Sequence, residues 1–175
     1  MENDQLIDNE NTENRVTKPP TFLIVLAVLS FLYMSSGLFA SATALFTGPV
    51  SQSEMEQIEV GLSNSVNEMN KMGQPAFAGM FETVIKKMHY TNEYVFYKQN
   101  ALALLVALIG ITGIVFMLKL KKMGFHIYII YCLATVGIMY VVYPINLILN
   151  IEVYVSLFFS ALFIFLYSRN LKVMQ

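Results

Sequence analysis

Four long stretches of the chain carry no charged residue, and they dominate its hydrophobic pattern. These stretches are residues 21–46, 101–118, 125–151 and 153–168. An α-helix rises about 1.5 Å per residue, so about 20 apolar residues cross a hydrocarbon core of about 30 Å. Pro144 and Asn146 interrupt the third stretch and place its predicted end at Tyr143. The pattern therefore predicts four transmembrane helices, at residues 21–46, 97–118, 125–143 and 151–168.

A different pattern fills residues 47–96, where apolar residues recur every three or four positions, as in an amphipathic helix. Ser51 and Glu54 have the spacing of a capping box at its start, and Gly73-Gln74-Pro75 ends it. A second amphipathic helix begins near Ala76 and runs on towards the second span. The apolar stripe of the first helix is the candidate partner face: Met55, Ile58, Leu62, Val66, Met69 and Met72. The two helices are expected to close on each other as a hairpin, to lie flat on the lipid surface, or to grip a partner.

The predicted fold is therefore all-α: a four-helix transmembrane bundle with an extracytoplasmic helical hairpin between spans 1 and 2. The other segments are a disordered cytoplasmic tail (1–20), a cytoplasmic loop (119–124), an outer loop (144–150) and a second cytoplasmic tail (169–175). Lys and Arg set the orientation, because they are enriched on the cytoplasmic side. The topology determinants are Lys119, Lys121, Lys122, Arg169 and Lys172. They predict a multi-pass protein of the cell inner membrane with both termini cytoplasmic.

The first span has an alternative interpretation as a cleaved signal peptide. An apolar core from Phe22 to Met34 is followed by Ala-x-Ala at Ala40–Ala42 and again at Ala42–Ala44. Signal peptides begin with a short positive region, whereas this core follows a long acidic leader. A retained first helix is the favoured interpretation.

Composition supports a lipid environment. Of 175 residues, 56% are hydrophobic and only 13% are charged, about half the charge of an ordinary soluble domain. The net charge of −1 provides no basic field for nucleic acid, so the bilayer is the predicted partner and nucleic acid is not. The single cysteine, Cys132, has no partner for an intramolecular disulfide.

Candidate chemistry is sparse. No ionisable residue lies near the middle of a predicted span, which argues against a proton- or sodium-coupled pump. His89 and Glu93 share a helix face with Glu82, but Lys86 lies there too, which favours a solvated face with ion pairs over a metal site. No nucleotide-binding or hydrolase motif occurs. The sequence thus predicts no catalytic, cofactor-binding or metal residues.

Small residues recur at helical spacing in the first two spans, where they would let helices approach closely. They form a candidate helix-packing or oligomer face: Ser36, Gly37, Ala40, Ser41, Ala44, Ala103, Ala107 and Gly110. Packing within the bundle and contact with a second copy or another membrane protein are both compatible with this pattern.

The segment KKMGFHIYIIY, residues 121–131, resembles one in an uncharacterised family of small four-span bacterial integral membrane proteins, often from Bacteroidota. The resemblance covers the last three spans best. It implies a compact four-helix bundle in the inner membrane, and it carries over no activity and no functional residues. Within this segment, Gly124 is expected to allow the tight turn between the second and third helices.

The expected function is that of a non-enzymatic accessory or interaction subunit whose extracytoplasmic helices contact a partner. A second hypothesis is a subunit of an oligomeric channel or transporter, assembled through the small-residue faces. A third is a membrane-embedded enzyme acting on lipid, which would need Asn146, Asn150, Tyr143 and Glu152 to meet in space.

Overall fold

A computed structural model describes residues 18–175 of the chain. Six α-helices account for most of these residues and no strand occurs among them, which confirms the all-α prediction for this part of the chain. The predicted disordered tail falls on residues 1–20, of which 1–17 lie outside the described residues. The helices are α1 (Thr21–Thr47), α2 (Gln52–Lys71), α3 (Pro75–Tyr90), α4 (Phe96–Leu118), α5 (Lys122–Val142) and α6 (Asn150–Ser168).

Four helices are long and apolar enough to cross a membrane, as the hydrophobic pattern predicts. They are α1, α4, α5 and α6, with α4 continuing α3 in a single helical rod, Pro75–Leu118. The four run alternately up and down. We call the end next to α2 and α3 the hairpin end, and the end that carries Lys119, Lys121, Lys122, Arg169 and Lys172 the lysine end. These helices support a multi-pass membrane protein.

The apolar helices pack in the order α1, α4, α5, α6. The core lies towards the lysine end, where Leu23 of α1, Met117 of α4 and Tyr167 of α6 are fully buried. Helix α6 is the least covered of the four, and Phe158 and Phe165 on it are more than 60% exposed. An outward surface of this kind suits a hydrocarbon environment.

Helices α4 and α5 approach most closely where glycines face each other. A Cβ added to Gly124 would lie 2.5 Å from the backbone nitrogen of Met117 and 2.6 Å from the carbonyl oxygen of Gly113. At Gly113, an added Cβ would lie 3.1 Å from the backbone oxygen of Gly124. The two backbones are therefore almost in contact, and only glycine fits at residue 124.

The prediction that Gly124 allows the tight turn between the second and third apolar helices, α4 and α5, is wrong. Helix α5 already begins at Lys122, and the turn is made by Leu120, whose φ is 56°. The end of the chain braces this turn, because the Gln175 N–H donates to the Leu120 carbonyl (2.6 Å) and the Lys122 N–H donates to the Gln175 carbonyl (2.8 Å). These backbone hydrogen bonds hold Leu120 in the left-handed region, which residues with a Cβ rarely adopt.

Helices α2 and α3 pack against each other as a hairpin. The capping box at the start of α2 is confirmed: the Ser51 hydroxyl accepts from the Glu54 N–H while the Glu54 carboxylate accepts from the Ser51 N–H. The Ser51 hydroxyl also donates to this carboxylate at 2.6 Å, and these bonds lower the pKa of Glu54. Gly73, with a φ of 70°, makes the turn, and Pro75 starts α3.

A π-helical turn, Thr91–Val95, joins α3 to α4 without breaking the rod. Such a turn holds one residue more than an α-helical turn, which changes the angle at which the two parts of a helix present their side chains. It lies where the rod passes from the hairpin to the apolar helices.

Candidate functional site

An ion pair joins the hairpin to the apolar helices at the hairpin end. The Lys87 ammonium of α3 donates to both carboxylate oxygens of Glu152 on α6, at 2.8 and 2.6 Å. It also lies 4.5 Å from the centre of the Tyr143 ring. Only 17% of the Lys87 side chain and 35% of the Glu152 side chain are exposed. The pair is therefore partly shielded from water, so removal of either partner would leave the other charge partly buried and unpaired.

Tyr143 extends this contact into a polar cluster. Its hydroxyl hydrogen-bonds to Thr91 at 3.0 Å and donates to Gln99. Thr91 belongs to the π-helical turn and Gln99 to α4. We call Lys87, Thr91, Gln99, Tyr143 and Glu152 the clamp, because it ties the rod to both ends of the α5–α6 connection.

Two further contacts join the helices of the hairpin near its base. The Asn92 side chain donates to the Val50 carbonyl (2.9 Å) and accepts from the Val50 N–H (2.8 Å). The His89 Nε2 lies 3.1 Å from a carboxylate oxygen of Glu59 on α2. With the clamp, these contacts hold both helices of the hairpin in one orientation.

His89, Glu82 and Glu93, the three residues weighed as metal ligands, line a shallow depression beside Glu59. Within residues 18–175, no group of three or more His, Cys, Asp or Glu side chains is placed to hold a metal ion. His89 instead meets Glu59 at hydrogen-bond distance, so the observed contact on this face joins the two hairpin helices.

A cavity of about 630 Å³ opens between α1, α5 and α6. Its lining comes from residues 29–34 of α1, 128–139 of α5 and 152–163 of α6. Most of the lining is aliphatic or aromatic. Hydroxyl groups interrupt it at Ser30, Thr135, Ser156 and Ser160, and Glu152 of the clamp lies at its hairpin end.

The floor of the cavity is closed by a buried contact between α1 and α6. The Tyr167 hydroxyl donates to Ser30 at 2.9 Å, and the Tyr167 ring lies 4.8 Å from the ring of Tyr128, centre to centre. Tyr167 is fully buried and Tyr128 is 4% exposed. Because α1 and α6 meet here, the space between them extends from this contact towards the hairpin end.

The predicted small-residue face divides into two groups. Ser41, Ala107 and Gly110 are buried between helices, whereas Ala44 and Ala103 are half-buried. A Cβ added to Gly110 would lie 2.6 Å from the sulfur of Met34. The remaining three residues, Ser36, Gly37 and Ala40, are exposed on α1.

The predicted partner face on α2 also divides. Met55 is buried, at 5% exposure, and is inaccessible to a partner. Leu62, Val66 and Met69 are half-buried, whereas Ile58 and Met72 are exposed. The stripe therefore packs largely within the protein, and the most exposed apolar side chains of the hairpin are Val60, Met72 and Phe77, at 62%, 64% and 53%.

The four residues named for a lipid-modifying site do not share one contact. Tyr143 and Glu152 both touch Lys87, whereas Asn146 and Asn150 are exposed. The five topology determinants, Lys119, Lys121, Lys122, Arg169 and Lys172, are all exposed at the lysine end.

Sequence reasoning missed the clamp and the cavity. Lys87 and Glu152 are 65 residues apart, and neither has a local pattern that marks the other as its partner. A charge directly before an apolar stretch, as at Glu152, was the available signal, because such a charge needs a partner when it lies close to hydrocarbon. Comparison of the chain with protein-family models, curated proteins and solved structures finds no match.

Proposed function

We propose that the protein is a non-enzymatic multi-pass inner-membrane protein that acts as an interaction subunit, with the α2–α3 hairpin as its contact element. The carrying observation is the tip of the hairpin, where Met72 and Phe77 flank the Gly73 turn and are 64% and 53% exposed. Large apolar side chains exposed together outside an apolar region are typical of a surface that binds a partner.

The position of the tip supports contact with a protein. The 21 residues from Pro75 to Val95 separate it from the start of α4 by about 30 Å, at 1.5 Å per residue. The clamp and the Asn92–Val50 contact hold this extension in place. A surface that is already ordered loses less conformational freedom when it binds.

Orientation follows from the same arrangement. Among residues 18–175, the lysine end carries six basic residues, Lys18, Lys119, Lys121, Lys122, Arg169 and Lys172, whereas the hairpin side carries four, Lys71, Lys86, Lys87 and Lys98. The positive-inside rule favours a cytoplasmic position for the end with more of them. Both termini are then cytoplasmic, the four apolar helices form a bundle in the bilayer, and the hairpin is extracytoplasmic.

Substituting the tip residues tests this function. Met72→Asp with Phe77→Asp adds two charges and removes both apolar side chains. Asn70→Asp with Gln74→Asp is the matched control, because it adds the same charges at exposed polar positions of the tip. Each protein is cross-linked in native membranes, purified and compared by quantitative mass spectrometry. We expect the recovery of a specific cross-linked protein to fall at least tenfold in the first variant and to stay unchanged in the control. Equal recovery in both would refute the proposal.

A second candidate is a subunit of an oligomeric channel. It is favoured by the exposure of Ser36, Gly37 and Ala40 on α1, since small residues let helices of two copies approach closely. Ala40→Cys in a Cys132→Ala background should then form a disulfide-linked dimer in membranes. Phe31→Cys, about half a turn away around the same helix, is the control that should stay monomeric. Only monomer in both would count against self-association through this face.

A further inference from the structure

The cavity between α1, α5 and α6 has the size of a ligand site. Its volume of about 630 Å³ falls within the range of about 300–1,000 Å³ that is common for small-molecule sites. Because its lining is mainly apolar, water inside would find few hydrogen-bond partners. An empty cavity of this size would forfeit dispersion contacts along all three helices. An apolar occupant satisfies both conditions.

The opening of the cavity faces sideways, between α1 and α6. Its rim carries Leu29 and Tyr33 on α1, which are 53% and 70% exposed, and Val155 and Phe159 on α6, which are 45% and 52% exposed. If the four helices cross a bilayer, as proposed above, these side chains lie in hydrocarbon. The molecules that reach the opening are then lipids.

The depth of the cavity matches one leaflet. On α6 the lining runs from Glu152 to Phe163, twelve residues whose ends are eleven steps apart, or about 16 Å at 1.5 Å per residue. This is about half of a hydrocarbon core of about 30 Å. The Ser30–Tyr167 contact closes the deep end, and Glu152 marks the shallow end.

We propose that this cavity binds one acyl chain of a phospholipid from the leaflet on the hairpin side. The methyl end of the chain lies against Tyr128 above the Ser30–Tyr167 floor, and the glycerol and head group lie beside Glu152 and Lys87. Ser156 is on the cavity side of α6 in the half nearer the hairpin end, where its hydroxyl can donate to an ester carbonyl of the lipid. The bound lipid thus lies directly beneath the clamp.

Photocrosslinking tests the assignment. Full-length protein is placed in phosphatidylethanolamine–phosphatidylglycerol vesicles that contain a phospholipid with a diazirine near the end of one acyl chain. After illumination, adducts are mapped by peptide mass spectrometry. We expect adducts on Tyr131 and Cys132 themselves, which are only 9% and 3% exposed and so are shielded from bulk lipid. Peptide fragmentation separates these, the α5 adducts, from labelling of the neighbouring Ile130 and Leu133, which are 55% and 66% exposed. The outward surfaces of α1 and α6 provide the internal reference for general labelling.

Matched variants on α6 sharpen the test. Ser160→Phe fills the cavity and should reduce the α5 adducts at least tenfold, whereas Ala161→Phe, an exposed neighbour, should leave them unchanged. Ser156→Leu is a second filling variant for use if Ser160→Phe does not fold, as judged by circular dichroism. Equal α5 labelling in filled and control variants would overturn the proposal. So would labelling by a diazirine fatty acid but not by the phospholipid.

The reactivity of Cys132 separates a lipid-filled cavity from a wet one. A membrane-impermeant, charged thiol reagent should leave Cys132 unmodified in vesicles, and rapid modification would overturn the proposal in favour of an aqueous path. This inference rests on the membrane placement, which alkaline extraction of membranes tests by itself. Protein that resists extraction yet gives no α5 adduct would refute only the lipid site.

Discussion

Replacing Gly124 with alanine should disrupt the contact between α4 and α5. The new Cβ would lie 2.5 and 2.6 Å from backbone atoms of Met117 and Gly113, which cannot rotate away as a side-chain end can. Overpacking of this kind costs about 1–3 kcal/mol, and backbone neighbours favour the upper value. Alanine regains about 1 kcal/mol of helix propensity. We therefore expect a net loss of about 2 kcal/mol, or a Tm lower by about 4–8 °C for a chain of this size.

The control for this substitution lies on the same helix. A Cβ added to Gly137 meets nothing within 4 Å, so Gly137→Ala should be neutral or stabilise the protein by up to about 1 kcal/mol. Because Cys132 is the only cysteine and is buried, a dye that fluoresces on reaction with thiols reports unfolding in detergent without further engineering. Equal Tm values for the two variants would refute the close-packing argument.

Three other substitutions test separate contacts. Lys87→Met should weaken the attachment of the hairpin by about 1–3 kcal/mol, between the values for exposed and buried ion pairs. In a Glu152→Gln background the same substitution should have a much smaller effect. Hydrogen exchange along α3 measures both effects. Tyr167→Phe removes a buried hydroxyl–hydroxyl bond and should cost about 0.5–1.5 kcal/mol in the thiol-dye assay, and an unchanged Tm would contradict this. Ser51→Ala should raise the pKa of Glu54 and speed hydrogen exchange at the start of α2. The pKa of Glu54 in the folded protein lies below its ordinary value of 4.5. The stability that the ionised Glu54 contributes to the start of α2 is therefore present above pH 4.5 and is lost as the pH falls through the folded pKa. The difference in hydrogen-exchange rate at the start of α2 between Ser51→Ala and the unmodified protein should therefore shrink in acid. A difference that stays constant with pH would contradict this explanation.

The helices could be predicted from the sequence because the patterns that mark them are local. The charge-free stretches mark α1, α4, α5 and α6, and the Ser51–Glu54 spacing marks the start of α2. The turn before α5 could not be predicted in this way. Glycine is the usual residue at positive φ, yet Leu120 takes that conformation because backbone groups at the end of the chain pair with it. Gly124 instead allows α4 and α5 to approach closely, and this role depends on Gly113, 11 residues earlier in the chain.

The clamp and the cavity depend on contacts that no local pattern encodes. The position of Glu152 beside an apolar stretch indicates that it needs a partner but does not identify Lys87 as that partner, and only the packing of α3 over α6 brings the two together. The cavity arises because α1 and α6 touch at Ser30 and Tyr167 but diverge beyond that point. The amphipathic stripe of α2 was visible, but the share of it that α3 would cover was not.

The π-helical turn at Thr91–Val95 makes the direction of the hairpin depend on a single residue. Deleting one residue there would restore a regular α-helix and rotate everything above it by about 100°, with a shift of about 1.5 Å along the axis. Lys87 would then point away from Glu152, while α4 below the turn would keep its place. A one-residue insertion or deletion at this point is thus a way to change the direction of the hairpin while α4 keeps its place among the apolar helices.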